Sequence, residues 1–519
     1  MNEIIAILQG LKTSPWYHLG DYQQAFEIEL KALADGGAPA FIWGRDGVFW
    51  TQDPQTATEI ENRLGWLDLP QMMAVDVLRL KALGIEIKAA GIERVVLLGM
   101  GGSSLAAEVM RLIFGIAPGY PDLIILDSTD PAQIRRISDV EDLTKSLFLV
   151  ASKSGTTAET TSLLAYFEDA MVTRLGDKAA CEHFIVLTDP GTPLEHWARS
   201  ESCRACYLNR PDIGGRYSAL SLFGLVPAAL IGIDLDLLLR RSRAMTRACR
   251  ATLPAKENPA LVLGAIMGSL ACHPTQPRDK LMLLTSPNLS PFYAWVEQLI
   301  AESTGKKGQG LLPVQGNNLT QIREDAPDHF YVYMRMDGAA NKETNEKIAR
   351  LAQTGSPIVV LPLHDLYDLG KEFFCWEFTT AVAGKVLGIN PFDQPDVESS
   401  KERARQALAH YAETHALPEE PPVLEEGGLC IYGVQHKASS ISEYLRAFWA
   451  QAKPGDYIAL MAYVERNPSH NALLQDMRCM LTEALGLAVT VGFGPRFLHS
   501  TGQLHKGGAN TGLFLQITQ

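Results

Sequence analysis

The chain has little that would tie it to a metal, a membrane or a nucleic acid. Its eight cysteines are scattered, and only Cys203 and Cys206 stand close together, in CRAC. One C-x-x-C without a second half does not supply a zinc site's four ligands, so no metal is expected. Reduced, mostly buried thiols in a cytoplasmic protein fit the scatter better. Long hydrophobic runs are missing as well. LFGLVPAALIGI is too short to span a bilayer, and no membrane partner is expected. The opening MNEIIAILQGLKTSPWYHLGDY carries Glu3 where a secretory signal would carry basic residues before a longer apolar core. Basic charge is in deficit, with a formal net charge of −13. That argues against a general nucleic-acid binder, whose affinity comes from neutralising phosphates. A small anion remains possible, because local N–H groups and a few cations outweigh a distant average. No Walker pattern, fixed-period repeat or helix-turn-helix signal stands out.

What is present is ordinary globular composition, 46% hydrophobic and 20% charged, over 519 residues, enough for two or three domains. Residues 1–87 read as mainly helical, with a short hairpin at AFIWGRDGVFW around Arg45-Asp46-Gly47. From 88 to 235, RVVLLGM, DLIILDS, SLFLVAS and HFIVLTD alternate with helix-like segments. Apolar runs without alternation, spaced by helices, predict a parallel sheet covered on both faces. The span 236–415 repeats the theme with KLMLLTS, HFYVYMRM and PIVVLPL as strands, and FYAWVEQLIAESTG and LGKEFFCWEFTTAVAGKVLG as helices. HYAETHALPEEPPVLEEGG, rich in Pro and Glu, reads as a linker. In 416–519, LCIYGV, DYIALMAYV, LAVTVGF and TGLFLQI alternate with helices once more. The expected fold class is therefore α/β.

Two turns invite an anion. SKSGTTAETTS leaves an apolar strand and enters a helix through six hydroxyls in ten residues: Ser152, Ser154, Thr156, Thr157, Thr160 and Thr161. A helix start needs one capping hydroxyl. Free N–H groups and the helix dipole at such a start attract phosphate, and Gly155 allows a close backbone turn. GMGGSSLAAEV, Gly99 to Val109, is a second glycine-rich strand-to-helix turn. It suggests a dinucleotide site, with Asp127 where a ribose-binding acid would stand, but Ser104 occupies the third glycine position. Two anion-friendly turns in one sheet fit one sugar phosphate better.

The acid and base candidates are Glu297 and Glu302 on PFYAWVEQLIAESTG, and Arg216 in DIGGRYSALS. Glu302 ends its helix just before Ser303-Thr304-Gly305, where a loop can open onto a cleft. Arg216 follows two glycines, either bracing a turn or reaching an anionic intermediate.

Taken in order, GMGGSSLAAEV, SKSGTTAET, GGRYSALSLFGLVPAALIGID, WVEQLIAESTGKKG and NPFDQPDVESSK resemble the phosphoglucose isomerase family over nearly the whole chain. The tail GPRFLHSTGQLHKGGANTG is similar to the isomerase half of transaldolase–phosphoglucose isomerase fusions, and no transaldolase half is apparent. The resemblance implies two sugar-isomerase (SIS) type doubly wound domains, a homodimer and no cofactor. It implies reversible interconversion of glucose 6-phosphate and fructose 6-phosphate through a cis-enediol(ate), in glycolysis and gluconeogenesis. By the same resemblance, Gly102 and Ser103 touch the sugar phosphate, while Ser152, Ser154 and Thr157 bind its phosphate with the backbone of Lys153 and Thr156. Gln298 and Glu302 match Q-L-x-x-E-S, with Glu302 the base. Arg216 matches the arginine beside the enediolate, and Gln394 and Lys401 match the last motif.

Two departures stand out. Asp396 occupies the usual glycine of that last motif, and no G-T-N-G-Q-H lies between Glu302 and Gln394 to supply a ring-opening histidine. The tail offers His505, the preferred candidate, with His499 its rival. The chemistry explains the need. One carboxylate moves a proton between C2 and C1, a guanidinium steadies the developing oxyanion, and a histidine opens the ring, with Lys401 as an assisting donor. A dual glucose/mannose 6-phosphate isomerase and a non-catalytic sugar-phosphate-binding regulator are the alternatives.

Overall fold

The computed structural model describes residues 16–519 apart from 141, 317, 320, 321 and 417–419; in helix Pro395–Thr414 the side chains at 398–401 and 404 also lie outside the described residues. After strand β1 (Trp16–His18) the described part of the N-terminal segment is helical, and AFIWGRDGVFW is not a hairpin. Pro39 sits in the first turn of helix Ala38–Trp43, where its missing N–H is harmless. Asp46 then caps the 3₁₀ turn Gly47–Phe49 by accepting from Val48 N at 3.0 Å. Aromatic and apolar residues at helical spacing had imitated strand alternation.

The first sheet has the order β3-β2-β4-β5-β6 and is parallel throughout, from β2 (Arg94–Gly99), β3 (Asp122–Leu126), β4 (Ser146–Ala151), β5 (Phe184–Thr188) and β6 (Ala205–Leu208). Successive side chains of a strand face opposite sides, and here both sides are core. Val95 and Leu97 join a cluster with Leu80, Leu83 and Val226, whereas Val96 and Leu98 join Leu163, Leu164 and Phe167 of helix Ala158–Leu175. That is why these strands show no polar alternation.

The second sheet runs β1-β10-β9-β7-β8, with β7 (Lys280–Thr285), β8 (Leu312–Gln315), β9 (His329–Met336) and β10 (Ile358–Leu363) parallel. β1 pairs antiparallel with β10, so the N-terminal segment closes an edge of this sheet. The segment read as a linker begins inside helix Pro395–Thr414, and part of it, 417–419, lies outside the described residues. LCIYGV does not join the tail's sheet. Its β12 (Leu429–Ile431) pairs with β11 (Leu424–Glu426) in a separate hairpin. The third sheet, β14-β13-β15, is parallel, from β13 (Tyr457–Tyr463), β14 (Ala488–Phe493) and β15 (Gly512–Thr518). Tyr457, Ala459, Ala488 and Leu504 pack with Met282, Tyr331 and Ala301, which seats the tail on the second sheet and its neighbouring helix.

Helix Leu369–Val386 carries two carboxyls into the core. Glu377 is 0% exposed and neither of its oxygens has a hydrogen-bond partner among the described residues. Burial raises it well above the ordinary 4.5. Burial and Asp368 push the neighbouring Glu372 up to about 8. A buried, unpaired carboxyl holds its proton, because the ionised form is far costlier to desolvate. The unfolded chain releases that proton near the ordinary value while the folded chain keeps it. The stability each group contributes is therefore whole below about pH 4.5 and is lost as pH rises through the folded value. In urea titrations from about pH 5 to 8, the wild type is expected to lose about 1.4 kcal/mol per pH unit for each such group. Glu377→Gln keeps the shape and removes one titration, so its slope should be shallower; a slope equal to wild type would mean that Glu377 is not protonated in the fold.

Candidate active site

β2 and β4 are neighbours, with Gly99 opposite Ala151, and the chain leaves β2 for β3 on one side and continues with β4 on the other. Ligands of doubly wound sheets bind at such a switch point, beyond the strand ends. Both anion-friendly turns emerge here. In the hydroxyl loop, Ser152 Oγ and Thr157 Oγ1 lie 3.0 Å apart, and Ser152 Oγ accepts from Gly155 N at 3.1 Å. Ser154 Oγ accepts from Thr156 N at 3.3 Å and from Thr156 Oγ1 at 3.0 Å. Gly155 has φ +65°, and a Cβ there would stand 2.9 Å from Thr192 Cβ, so this turn requires glycine. Thr157 is the N-cap of helix Ala158–Leu175 yet makes no capping bond, which leaves the helix start available to an anion. The Lys153 side chain turns away to Asp189 and to Pro211 O at 3.0 Å, leaving its backbone at the loop.

The second turn is crowded. A Cβ on Gly102 would lie 2.1 Å from Gly215 O and 2.9 Å from Arg216 N, so only glycine lets the two backbones meet. Ser103 is half-buried beside it. This contact brings Arg216, 3% exposed, into the site. Its Nε donates to Ser303 Oγ at 2.7 Å, Nη1 to Glu302 Oε1 at 3.0 Å and Gln394 Oε1 at 3.1 Å, and Nη2 to Pro391 O at 2.7 Å and Asp393 O at 2.9 Å. All five guanidinium N–H groups have acceptors, so the cation is held in one orientation. Lys306 lies close by, paired with Asp393 at 2.7 Å; burial and Arg216 push it down to about 7.

Glu302 projects from helix Phe292–Thr304, its side chain 15% exposed. Oε2 accepts from Gln298 Nε2 at 3.1 Å, one helical turn back. Gln298 Nε2 also donates to His499 O at 2.7 Å. The His499 ring, through Nε2, meets Glu159 Oε1 at 2.9 Å, just past the hydroxyl loop. Burial would raise Glu159, but the hydrogen bond and charge of His499 outweigh it and hold the carboxyl below its ordinary value. An unbroken chain of contacts thus runs from Arg216 through Glu302, Gln298 and His499 to Glu159.

His505 faces the other way. Its Nδ1 is 2.8 Å from Tyr457 OH, its ring packs on Tyr457 and Phe514 of the third sheet, and burial together with Lys506 pushes it down to about 4. Glu297 also turns from the site, accepting from Tyr293 OH at 2.7 Å. Gln394 stands at the N-cap of helix Pro395–Thr414; Lys401 lies within that helix, with its side chain outside the described residues. Asp127, 1% exposed, accepts from Arg496 Nη1 at 2.7 Å, and the same guanidinium pairs with Glu108. A ribose-binding role for that acid is thereby closed off. Sequence reading passed over Glu159, although its place two residues after the N-cap was a signal. Nothing local in the sequence announces Arg496.

Residues 83–315 match the family described as phosphoglucose isomerase. A glucose-6-phosphate isomerase of Rubrobacter xylanophilus is 30% identical over 361 residues, 61% of this chain and 82% of the relative. The chain belongs to the phosphoglucose isomerase family. A crystal structure of a hypothetical protein from Thermus thermophilus matches 76% of this chain and 100% of its own, at 26% identity and TM-score 0.63. That of a glucose-6-phosphate isomerase from Chlamydia trachomatis matches 71% of this chain and 78% of its own, at 20% identity and TM-score 0.56, and shares the fold. The family match holds both glycine-rich turns, Arg216 and Glu302, and ends before Gln394 and the tail. Among the described residues no helix is long and apolar enough to cross a membrane.

Proposed function

We propose that this chain interconverts glucose 6-phosphate and fructose 6-phosphate, with Glu302 as the base that carries the proton between C2 and C1. The carrying observation is Glu302 itself, bonded to Arg216 and Gln298 beside the Gly101–Gly102 turn rather than pointing into solvent. The phosphate rests on Ser152, Ser154, Thr157 and the N–H groups of Lys153 and Thr156, and the sugar lies over Gly102 and Ser103. Gln298 orients the carboxylate. Arg216, fixed by Gln394, Ser303 and the backbone, stabilises the enediolate oxygen through its fixed positive charge. The ring-opening role goes to His499, because its ring is oriented by a carboxylate at the phosphate end, and away from His505, whose low basicity and packing suit neither proton donation nor reach. Lys401 is the further donor. A homodimer of chains, each with SIS-type units at 88–235 and 236–415 between the helical 1–87 and the tail 416–519, in the cytoplasm, completes the proposal; light scattering tests the dimer.

Incubation with fructose 6-phosphate in deuterated water is expected to yield glucose 6-phosphate labelled at C2. Ligand-induced thermal stabilisation without product would favour the regulator instead, and mannose 6-phosphate turnover would widen the specificity. Arg216→Lys keeps the charge but loses the fork of donors. It should lower kcat about a hundredfold, roughly 3 kcal/mol, with KM within threefold; a change confined to KM would remove the arginine from enediolate stabilisation.

A further inference from the structure

Gln503 is fully buried, and its amide is completely paired across three segments of the site. Oε1 accepts from Asp396 N at 3.1 Å, while Nε2 donates to Asp396 Oδ2 at 2.6 Å and to Gly305 O at 2.9 Å. Gly308 N donates to Gly507 O at 2.9 Å, and a Cβ on Gly507 would come within 2.2 Å of Asp396 Oδ2. Each segment joined here carries a group of the proposed mechanism. Gly305 follows the helix of Glu302, Asp396 follows Gln394, and Gln503 follows His499 on the tail. By the resemblance given above, Asp396 replaces a glycine, which has no carboxylate to receive Gln503.

We propose that Asp396 and Gln503 are positioning residues that lock the tail onto the base helix and so hold the His499 ring against the sugar. The proposal rests on the function given above. The pair touches neither sugar nor phosphate; it acts through the short stretch between His499 and Gln503. Losing it frees the tail to shift while Glu302, anchored by Arg216 and Gln298, keeps its place. Ring opening should then suffer and proton transfer should not.

The full-length protein, Asp396→Ala, Gln503→Glu and the double variant Asp396→Asn/Gln503→Glu separate the cases. Each is assayed with fructose 6-phosphate and with 5-deoxyfructose 6-phosphate, whose missing hydroxyl leaves no furanose to open. Asp396→Ala changes a half-buried residue in the first turn of a helix, so it keeps the fold. It is expected to lose about tenfold in kcat on fructose 6-phosphate and less than twofold on the deoxy sugar. Gln503→Glu sets two carboxylates face to face and should lose more. The double variant, in which an amide again meets a carboxylate, should recover part of the Gln503→Glu loss and not all of it, because the new carboxylate oxygen in the place of Nε2 faces Gly305 O. Amide hydrogen exchange of residues 496–507 reads the lock without turnover and should speed up in Asp396→Ala. Equal losses on both sugars, no loss on either, or unchanged exchange would overturn the pair's role. A wild type inactive on both sugars with exchange altered as expected would overturn the isomerase reading and leave the lock as a structural one.

Discussion

Glu302→Gln is expected to fold and to bind fructose 6-phosphate with an affinity near wild type, yet to isomerise it roughly a thousandfold to ten-thousandfold more slowly, about 4–5.5 kcal/mol in the barrier. The amide is the same size as the carboxylate, and its oxygen still accepts from Arg216 Nη1. The other position is less comfortable. The new N–H₂ faces Gln298 Nε2, which is already committed to His499 O at 2.7 Å, so a small loss of melting temperature accompanies the change. The nearest carboxylate along the same chain of contacts is Glu159, which is engaged by His499. A neutral amide cannot take the C1 proton of fructose 6-phosphate, so the whole general-base contribution is lost while the phosphate grip persists. Coupled assays with calorimetric binding read both halves. Turnover within tenfold of wild type would remove Glu302 from the mechanism.

The second large effect separates two histidines six residues apart in sequence. His499→Ala should slow the closed ring by about a hundredfold, in the range of a lost general acid–base group, and alter 5-deoxyfructose 6-phosphate turnover by less than threefold. His505→Ala should do the reverse in kind. It removes a ring packed on Tyr457 and Phe514 and leaves the Tyr457 hydroxyl without that partner, costing about 2–3 kcal/mol of stability, with kcat little changed at a temperature where the variant is folded. If His505→Ala alone showed the closed-ring defect, the assignment would pass back to His505.

The contrast shows what the sequence carried. Strands buried on both faces, such as β2 and β4, are legible because each position must be apolar. The hydroxyl loop is legible because its composition exceeds what a helix cap needs, and Arg216 and Glu302 lie in contiguous motifs. His499 and His505 could not be ranked that way. The difference between them lies in partners at Gln298, Glu159, Tyr457 and Phe514, and all but the Phe514 contact close over tens to hundreds of residues. The misread hairpin at Arg45 has the opposite cause, since a local pattern at helical spacing looked alternating. Asp127 shows a third kind of limit. Its position at a strand end was right for a ribose, and only an arginine from the distant tail closes it.

The tail folds back on the chain that bears Glu302 and supplies the histidine facing Glu159. One polypeptide therefore carries the proposed proton-transfer and ring-opening groups together, so the proposed chemistry does not require a second copy to supply either of them.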